Sequence, residues 1–298
     1  MNNRTKGIIC ILAAALSWGF LPFFTRNLSA LGADPVVSAT MRAAVAAVIL
    51  AIIGVARGTL KNPGRKMLAY FVLMGLFTTV GMYLFYMKAI DVMSTAMAAV
   101  LLYTGPAFVI LFSRIIYKER ITPKKLACLL LTFFGCALVV RAYDVSSLSG
   151  NLGGIALGLG AGICYSMVTV MGRRALLSCN SGAVSTWPVI FGAVVLLAVT
   201  PPWTIDFSSP ERDLLFLLIG MTGSVLPLLL YNKGLSLGIE GGNASILATI
   251  EPVVATLTGV AAFGDSLEPL QIAGMLLVLS GGFIISYNIK NKRKIKEL

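Results

Sequence analysis

Ten stretches of this chain are apolar over 18 to 23 residues each, and the polar residues gather between them. An α-helix needs about 20 mostly apolar residues to cross the hydrocarbon core of a bilayer. The pattern therefore predicts an all-α polytopic membrane protein with ten transmembrane helices. They run over 7–25, 35–56, 67–87, 93–115, 124–142, 152–174, 183–200, 213–232, 242–263 and 268–288. Only TPPWTIDFSSPERD, residues 200–213, is long enough for an exposed loop. The first run has a signal-peptide flavour, with NNRTK ahead of GIICILAAALSWGF, but it continues past AAALS and further spans follow. It reads as an uncleaved first helix.

Composition supports the pattern. Of 298 residues, 57% are hydrophobic and 12% charged, about half the charged share of a soluble domain. The net charge of +12 raises the question of nucleic acid. However, the basic residues lie between apolar runs and in the tail NIKNKRKIKEL, with no contiguous basic face for a nucleic acid to use. Their placement instead reports topology. The N-terminus, the even-numbered connections and the C-terminal tail hold 19 Lys and Arg, the odd-numbered connections four, and Arg42 lies inside the second span. Positive loops stay inside, so both termini are expected in the cytoplasm and the protein in the plasma (inner) membrane. Five cysteines without paired spacing read as small core residues. No histidine is present, which removes the commonest metal ligand, and no cofactor is expected.

A lag of about 146 residues lays the second half on the first. Pro106 then meets Pro252, Pro123 meets Pro269, Ala127 meets Ala273 and Gly135 meets Gly281, with seven identities in 37 across 104–140 against 250–286. At a lag of 145, YMKAI (86–90) meets YNKGL (231–235). The flanking charges invert between the halves: YKERITPKK is basic, whereas its counterpart FGDSLEPLQ has no Lys or Arg. Two five-span repeats of opposite topology require this. The units are expected at 1–145 and 150–290, followed by a basic cytoplasmic tail, 291–298. Inverted repeats are a transporter architecture, with the solute site near the midplane.

The segments STAMAAVLLYTGPAFVILFSRIIYKERITPKKLACLLLTFFGCALVV and YNKGLSLGIEGGNASILATIEPVVATLTGVAAFGDSLEPLQIAGMLLVLSGGFII resemble the EamA branch of the drug/metabolite transporter superfamily. The shared features are a proline-centred helix, a short turn holding an acid (Glu119, Asp265) and a span with a central glycine (Gly135, Gly281). ALSWGF at 15–20 and an arginine at 26 and 173 fit more loosely. The resemblance implies a ten-helix inverted repeat and a secondary transporter of small metabolites, often amino acids, amines or drugs.

The candidate site begins at Glu251, the one carboxylate in SILATIEPVVATL. On a helical period its face is Ala244, Ala248, Ala255, Thr258 and Ala262, and Pro252 would free the carbonyl of Ala248. Intramembrane ionisable groups usually serve a pathway, so Glu251 either takes a proton or faces a substrate ammonium; the bland reading is a helix-holding acid or a partner of Arg42. Arg42 either binds a substrate carboxylate or pairs or snorkels. Lys88 and Lys233 hold matching repeat positions, as gate contacts or snorkelling chains. Trp18, Tyr83, Tyr86, Tyr103, Tyr165, Trp187 and Tyr231 lie within or near span interiors, where rings either cage a cationic solute or pack helices. Trp18 and Tyr165 correspond in the repeat, and Trp203 in the long loop reads as interfacial.

No enzyme motif is present: there is no HExxH, Rossmann glycine pattern or Walker sequence, and GNLGGIALGLGAG at 150–162 lacks GK[ST]. The sequence thus points to a secondary active transporter of small metabolites such as amino acids, working by alternating access as an exporter or exchanger. The alternatives are a proton-coupled carrier of amine, quaternary ammonium or drug cations, and a receptor or assembly factor that moves nothing. Its partners are a small solute, protons as a coupling ion, and membrane lipid. The sequence sets no oligomeric state.

Overall fold

The computed structural model describes residues 1–143, 152–201, 203, 205 and 207–291. The basic tail expected over 291–298 lies, beyond Asn291, outside the described residues. Ten helical segments cross the molecule: α1 (Asn3–Ala30), α2 (Pro35–Ala56), α3 (Arg65–Val92), α4 (Thr95–Tyr117), α5 (Pro123–Val139), α6 (Leu152–Ala175), α7 (Ser181–Val199), α8 (Pro210–Ser236), α9 (Gly241–Phe263) and α10 (Pro269–Asn291). Nine are long and apolar enough to span by length and composition. The tenth, α5, has 17 residues, at the short end of the spanning range. Polar residues at the connections start the helices. Asn2, Asp34, Ser94, Thr122, Asn180 and Ser209 each accept a hydrogen bond from a first-turn backbone N–H, satisfying donors that the helix leaves open. Large apolar side chains such as Val55, Ile115, Leu276 and Phe283 point outward and are well exposed, as a lipid-facing surface requires.

The helices pack in a pattern that the repeat dictates. Extensive contacts join α1 to α8 and α6 to α3, α1 to the second half of α9 and α6 to the second half of α4, α2 to α7, and α5 to α10. Exchanging the first five helices for the last five maps this set onto itself. An odd number of crossings per half makes the two halves run oppositely through the membrane. The fold is a ten-helix inverted repeat.

The start of α1 and the end of α10 lie on one face, where Arg4 Nη1 donates to the Ile289 carbonyl at 3.4 Å; this is the terminal face, and the other is the opposite face. The crossing of α5 and α10 is close enough to bring backbones together. A Cβ on Gly135 would come within 2.8 Å of the Gly274 carbonyl, and one on Gly274 within 2.7 Å of the Gly135 carbonyl. Small residues allow this approach.

Several spans are interrupted, as the sequence only partly foretold. The α1 helix breaks at Phe20, α4 between Leu102 and Gly105, and α9 between Ala248 and Glu251. A π-helical turn interrupts α3 at Leu76–Gly81 and α8 at Met221–Val225. The breaks in α4 and α9 fall at matching repeat positions, and so do the two π turns.

Candidate functional site

Proline placement explains the break in α9. Pro252 lacks the N–H that would carry the helix on to the Ala248 carbonyl, and it suits the first turn of a helix, where its missing N–H is not needed. The interruption goes further than one missing hydrogen bond at the Ala248 carbonyl. One half-helix ends at Ala248 and a second starts at Glu251, with Ile250 as its cap. Glu251 consequently stands at the N-terminal end of a half-helix, where unpaired N–H groups and the positive end of the dipole favour an anion.

The groups around Glu251 come from both repeats. The Tyr165 hydroxyl donates to Glu251 Oε2 across a long 3.4 Å. Its ring has room because the residue matching Glu251 in the first repeat is Gly105, where a Cβ would lie 2.7 Å from Tyr165 Cδ1. Tyr86, Tyr103 and Arg42 are also within electrostatic reach of Glu251. Arg42 turns into the bundle, its Cδ 3.2 Å from where a Cβ would stand on Gly223 in the π turn of α8. Among the described residues Arg42 makes no hydrogen bond and no ion pair within 4.0 Å. The opposite charges of Arg42 and Glu251 thus face a shared interior without being joined.

Trp18 and Tyr231 form the neighbouring layer. Their ring centres lie 5.5 Å apart. Trp18 Nε1 donates to the Gly223 carbonyl at 3.2 Å and Ser17 Oγ to the Thr222 carbonyl at 2.6 Å, so α1 is moored to the π turn. The Tyr231 hydroxyl meets Thr169 Oγ1 at 2.7 Å. Trp18, Tyr165, Tyr231, Gly105 and Pro106 enclose a crevice of about 10 Å³, room for about one water.

The remaining candidates stand apart from this cluster. Tyr83 is buried against Ala39, Ala43, Val80 and Leu196, with Arg42 in electrostatic reach and no hydrogen-bond partner for its hydroxyl among the described residues. Trp187 stacks on Phe191 with ring centres 5.8 Å apart and packs beside Phe71 and Met171. Lys88 is exposed and pairs with Asp91 on its own helix at 3.4 Å, and Lys233 is exposed in the last turn of α8. Trp203 is 85% exposed. The cysteines are free, three of them buried.

A cavity of about 490 Å³ opens near the opposite face, lined by Phe23, Arg26, Arg141, Ala255, Thr256 and Gln271 among others. Ala255 lies one turn along α9 from Glu251, on the same side of the helix. The terminal face is closed by charges that the site reading of the sequence missed. Glu119 accepts from Arg173 and from the Gly241 N–H, and Lys125 Nζ lies 3.5 Å from Glu119 and 3.0 Å from Glu240. The signal was present in the recurring turn acids, Glu119 and Asp265, and in the recurring Arg26 and Arg173.

Comparison with known proteins gives a consistent result. A sequence profile of the EamA-like transporter family matches residues 5–141 and again 152–287. An uncharacterized transporter of Archaeoglobus fulgidus is 28% identical, over 93% of this chain and 95% of its own length. The uncharacterized inner membrane transporter YicL of Salmonella typhimurium is 25% identical over 99% of both chains. The threonine/homoserine exporter RhtA of Escherichia coli K12 is 27% identical over 72% of this chain and 70% of its own. A crystal structure with 18% sequence identity superposes with a TM-score of 0.81 over 96% of this chain and 98% of the other, which bears on fold alone.

Proposed function

This chain belongs to the EamA-like transporter family, and we propose that it exports or exchanges small amino-acid-like zwitterions by alternating access. The observation that carries the reading is a pair of opposite charges, Glu251 and Arg42, in electrostatic reach of one another among tyrosines and without a direct ion pair. A zwitterion offers an ammonium group to the carboxylate and a carboxylate to the planar fork of the guanidinium. An exporter of threonine and homoserine among the relatives is consistent with this chemistry. Glu251 also exchanges a proton during the cycle in this reading, which supplies the energy. The repeats act as the two moving bodies, 1–145 and 150–290, with the terminal face cytoplasmic in the plasma membrane.

The layer of rings at Trp18, Tyr165 and Tyr231 supports a second reading, an amine or quaternary ammonium solute held by cation–π attraction. Substrates with only carboxylate or phosphate charge fit less well, since Lys88 and Lys233 are exposed and Arg42 is the cation in electrostatic reach of Glu251.

Flux into proteoliposomes separates these readings. A panel of amino acids is compared with the amines that lack their carboxylate. Glu251→Gln is expected to abolish pH-dependent exchange. Arg42→Gln is expected to depress amino-acid flux at least about tenfold, the loss of one charge-assisted contact, and to spare amines. Proton coupling that survives Glu251→Gln removes the carrier role, and equal loss for amines and amino acids removes the carboxylate role of Arg42.

A further inference from the structure

Among the described residues four ion pairs join the repeats, Arg26–Asp265 and Arg141–Glu268 at the opposite face and Arg173–Glu119 and Lys125–Glu240 at the terminal face, and the inverted repeat relates the first of each set. At the opposite face Arg26, late in α1, pairs with Asp265 in the α9–α10 turn at 2.6 Å, with its guanidinium 4.0 Å from the centre of the Phe263 ring. At the terminal face Arg173, late in α6, pairs with Glu119 in the α4–α5 turn, with its guanidinium 4.5 Å from the centre of the Tyr117 ring. The arginines are offset by 147 residues, and the acids and the rings each by 146. In both cases the arginine belongs to one repeat and the acid and ring to the other. Each constellation is therefore a latch across the interface that alternating access must open and close.

The latches are unequal. The Arg26 and Asp265 side chains are 50% and 45% exposed, whereas those of Arg173 and Glu119 are 24% and 9% exposed. Lys125, 5% exposed, bolts the second one by bridging Glu119 to Glu240. At the matching position of the other half stands Gln271, whose Nε2 donates to the Val139 carbonyl at 2.8 Å and which brings no charge. Exposed ion pairs contribute little, while a buried charge that loses its partner is strongly destabilising. The cavity of about 490 Å³ lies beside the weaker latch.

We infer that these two constellations are the gates of the transport cycle and that Lys125, through Glu119 and Glu240, sets the resting state with the terminal face shut and the opposite face open. The inference rests on the alternating-access reading. Opening the terminal face requires Glu119 to leave Arg173 and Lys125 to leave Glu240, whereas closing the opposite face only draws existing exposed pairs, Arg26–Asp265 and Arg141–Glu268, out of water. The side chain at 125 and its counterpart at 271 are thus the positions that bias the cycle.

The test reads accessibility without solute, in oriented vesicles of protein whose five native cysteines are replaced. One reporter, Ser113→Cys, lies beneath the terminal latch, where the parent serine is fully buried; the other, Thr256→Cys, lies in the cavity wall. A membrane-impermeant thiol reagent should label the second and spare the first. Lys125→Gln should raise labelling at 113 by at least about tenfold, the shift expected from losing one stabilised state, and lower it at 256. Gln271→Lys alone, in the otherwise intact protein, should slow labelling at 256. Exchanging Arg26 and Asp265 for each other should recover the flux that Arg26→Asp loses. Unchanged labelling in the Lys125→Gln and Gln271→Lys variants, with parental elution and melting, overturns the inference. Increased labelling at both reporters in Lys125→Gln also overturns it, as general loosening. Labelling confined to one face in every variant, with and without amino acids, instead overturns the alternating-access reading and takes the gates with it.

Discussion

Gly105 and Glu251 occupy the same place in the two repeats, and the difference between them lets Tyr165 reach across the bundle. A methyl group on Gly105 would stand 2.7 Å from the Tyr165 ring and 3.3 Å from the Gly162 carbonyl. Overpacking of this kind costs about 1–3 kcal/mol when the neighbours must move. Gly105→Ala should therefore displace the ring and its hydroxyl from Glu251, lowering flux without unfolding the protein. In a Tyr165→Ala background the same substitution should have little further effect on flux, because the ring it strikes is gone. Additive losses would mean that Gly105 serves packing independent of Tyr165. Glu251 was legible in the sequence as an isolated carboxylate in an apolar run. Its partner was not, because Tyr165 lies 86 residues away and nothing in local spacing selects one ring among nine tyrosines. Arg42 was visible too, but whether it paired or stood free depended on the π turn of α8 against which its stem lies.

The helices themselves were largely legible, since each apolar run had the length of a span and six of them start behind a capping Asn, Asp, Ser or Thr. Their interruptions were less so. Pro106 and Pro252 were recognised, yet the full separation into half-helices depends on packing that holds the exposed ends. The break at Phe20 was missed, although Gly19 and Pro22 flank it. There α1 leans on α9: a Cβ on Gly19 would come within 2.4 Å of Val254 Cβ. The recurring glycines of the last spans have a clear task in the α5–α10 crossing. Gly274→Ala forces a Cβ against backbone atoms of α5 that cannot rotate away, and should destabilise the protein by about 1–3 kcal/mol. Gly282→Ala, with nothing within 4 Å of its Cβ, should be close to neutral or slightly stabilising, since alanine is the better helix former. Unfolding of the two variants in detergent micelles measures the difference, and equal midpoints would show that the crossing relaxes.

For the whole molecule, the distribution of charge makes a prediction separate from transport. With 19 basic residues on one set of connections and four on the other, the terminal face should be cytoplasmic. A fluorescent protein fused to the C-terminus should fold and fluoresce, while a periplasmic phosphatase fused there should be inactive. The reverse outcome would invert the topology and exchange the faces of the two latches. The inverted repeat also accounts for the pairing of α1 with α8 and of α6 with α3, a symmetry that brings Arg26 to Asp265 and Arg173 to Glu119 from distant parts of the chain.

The sequence by itself determined the membrane environment, the ten spans, the two-fold repetition and the position of the single carboxylate in SILATIEPVVATL. Each of these follows from local composition, spacing or a fixed offset along the chain. Only the tertiary structure decided which helices touch, where the spans break, that Arg42 and Glu251 come within electrostatic reach without joining, and which face is bolted. In hydrocarbon, lipid-facing and helix-facing positions are equally apolar, so periodicity carries little record of neighbours. Close contact between glycines, and charges drawn together across the repeats, settle that question.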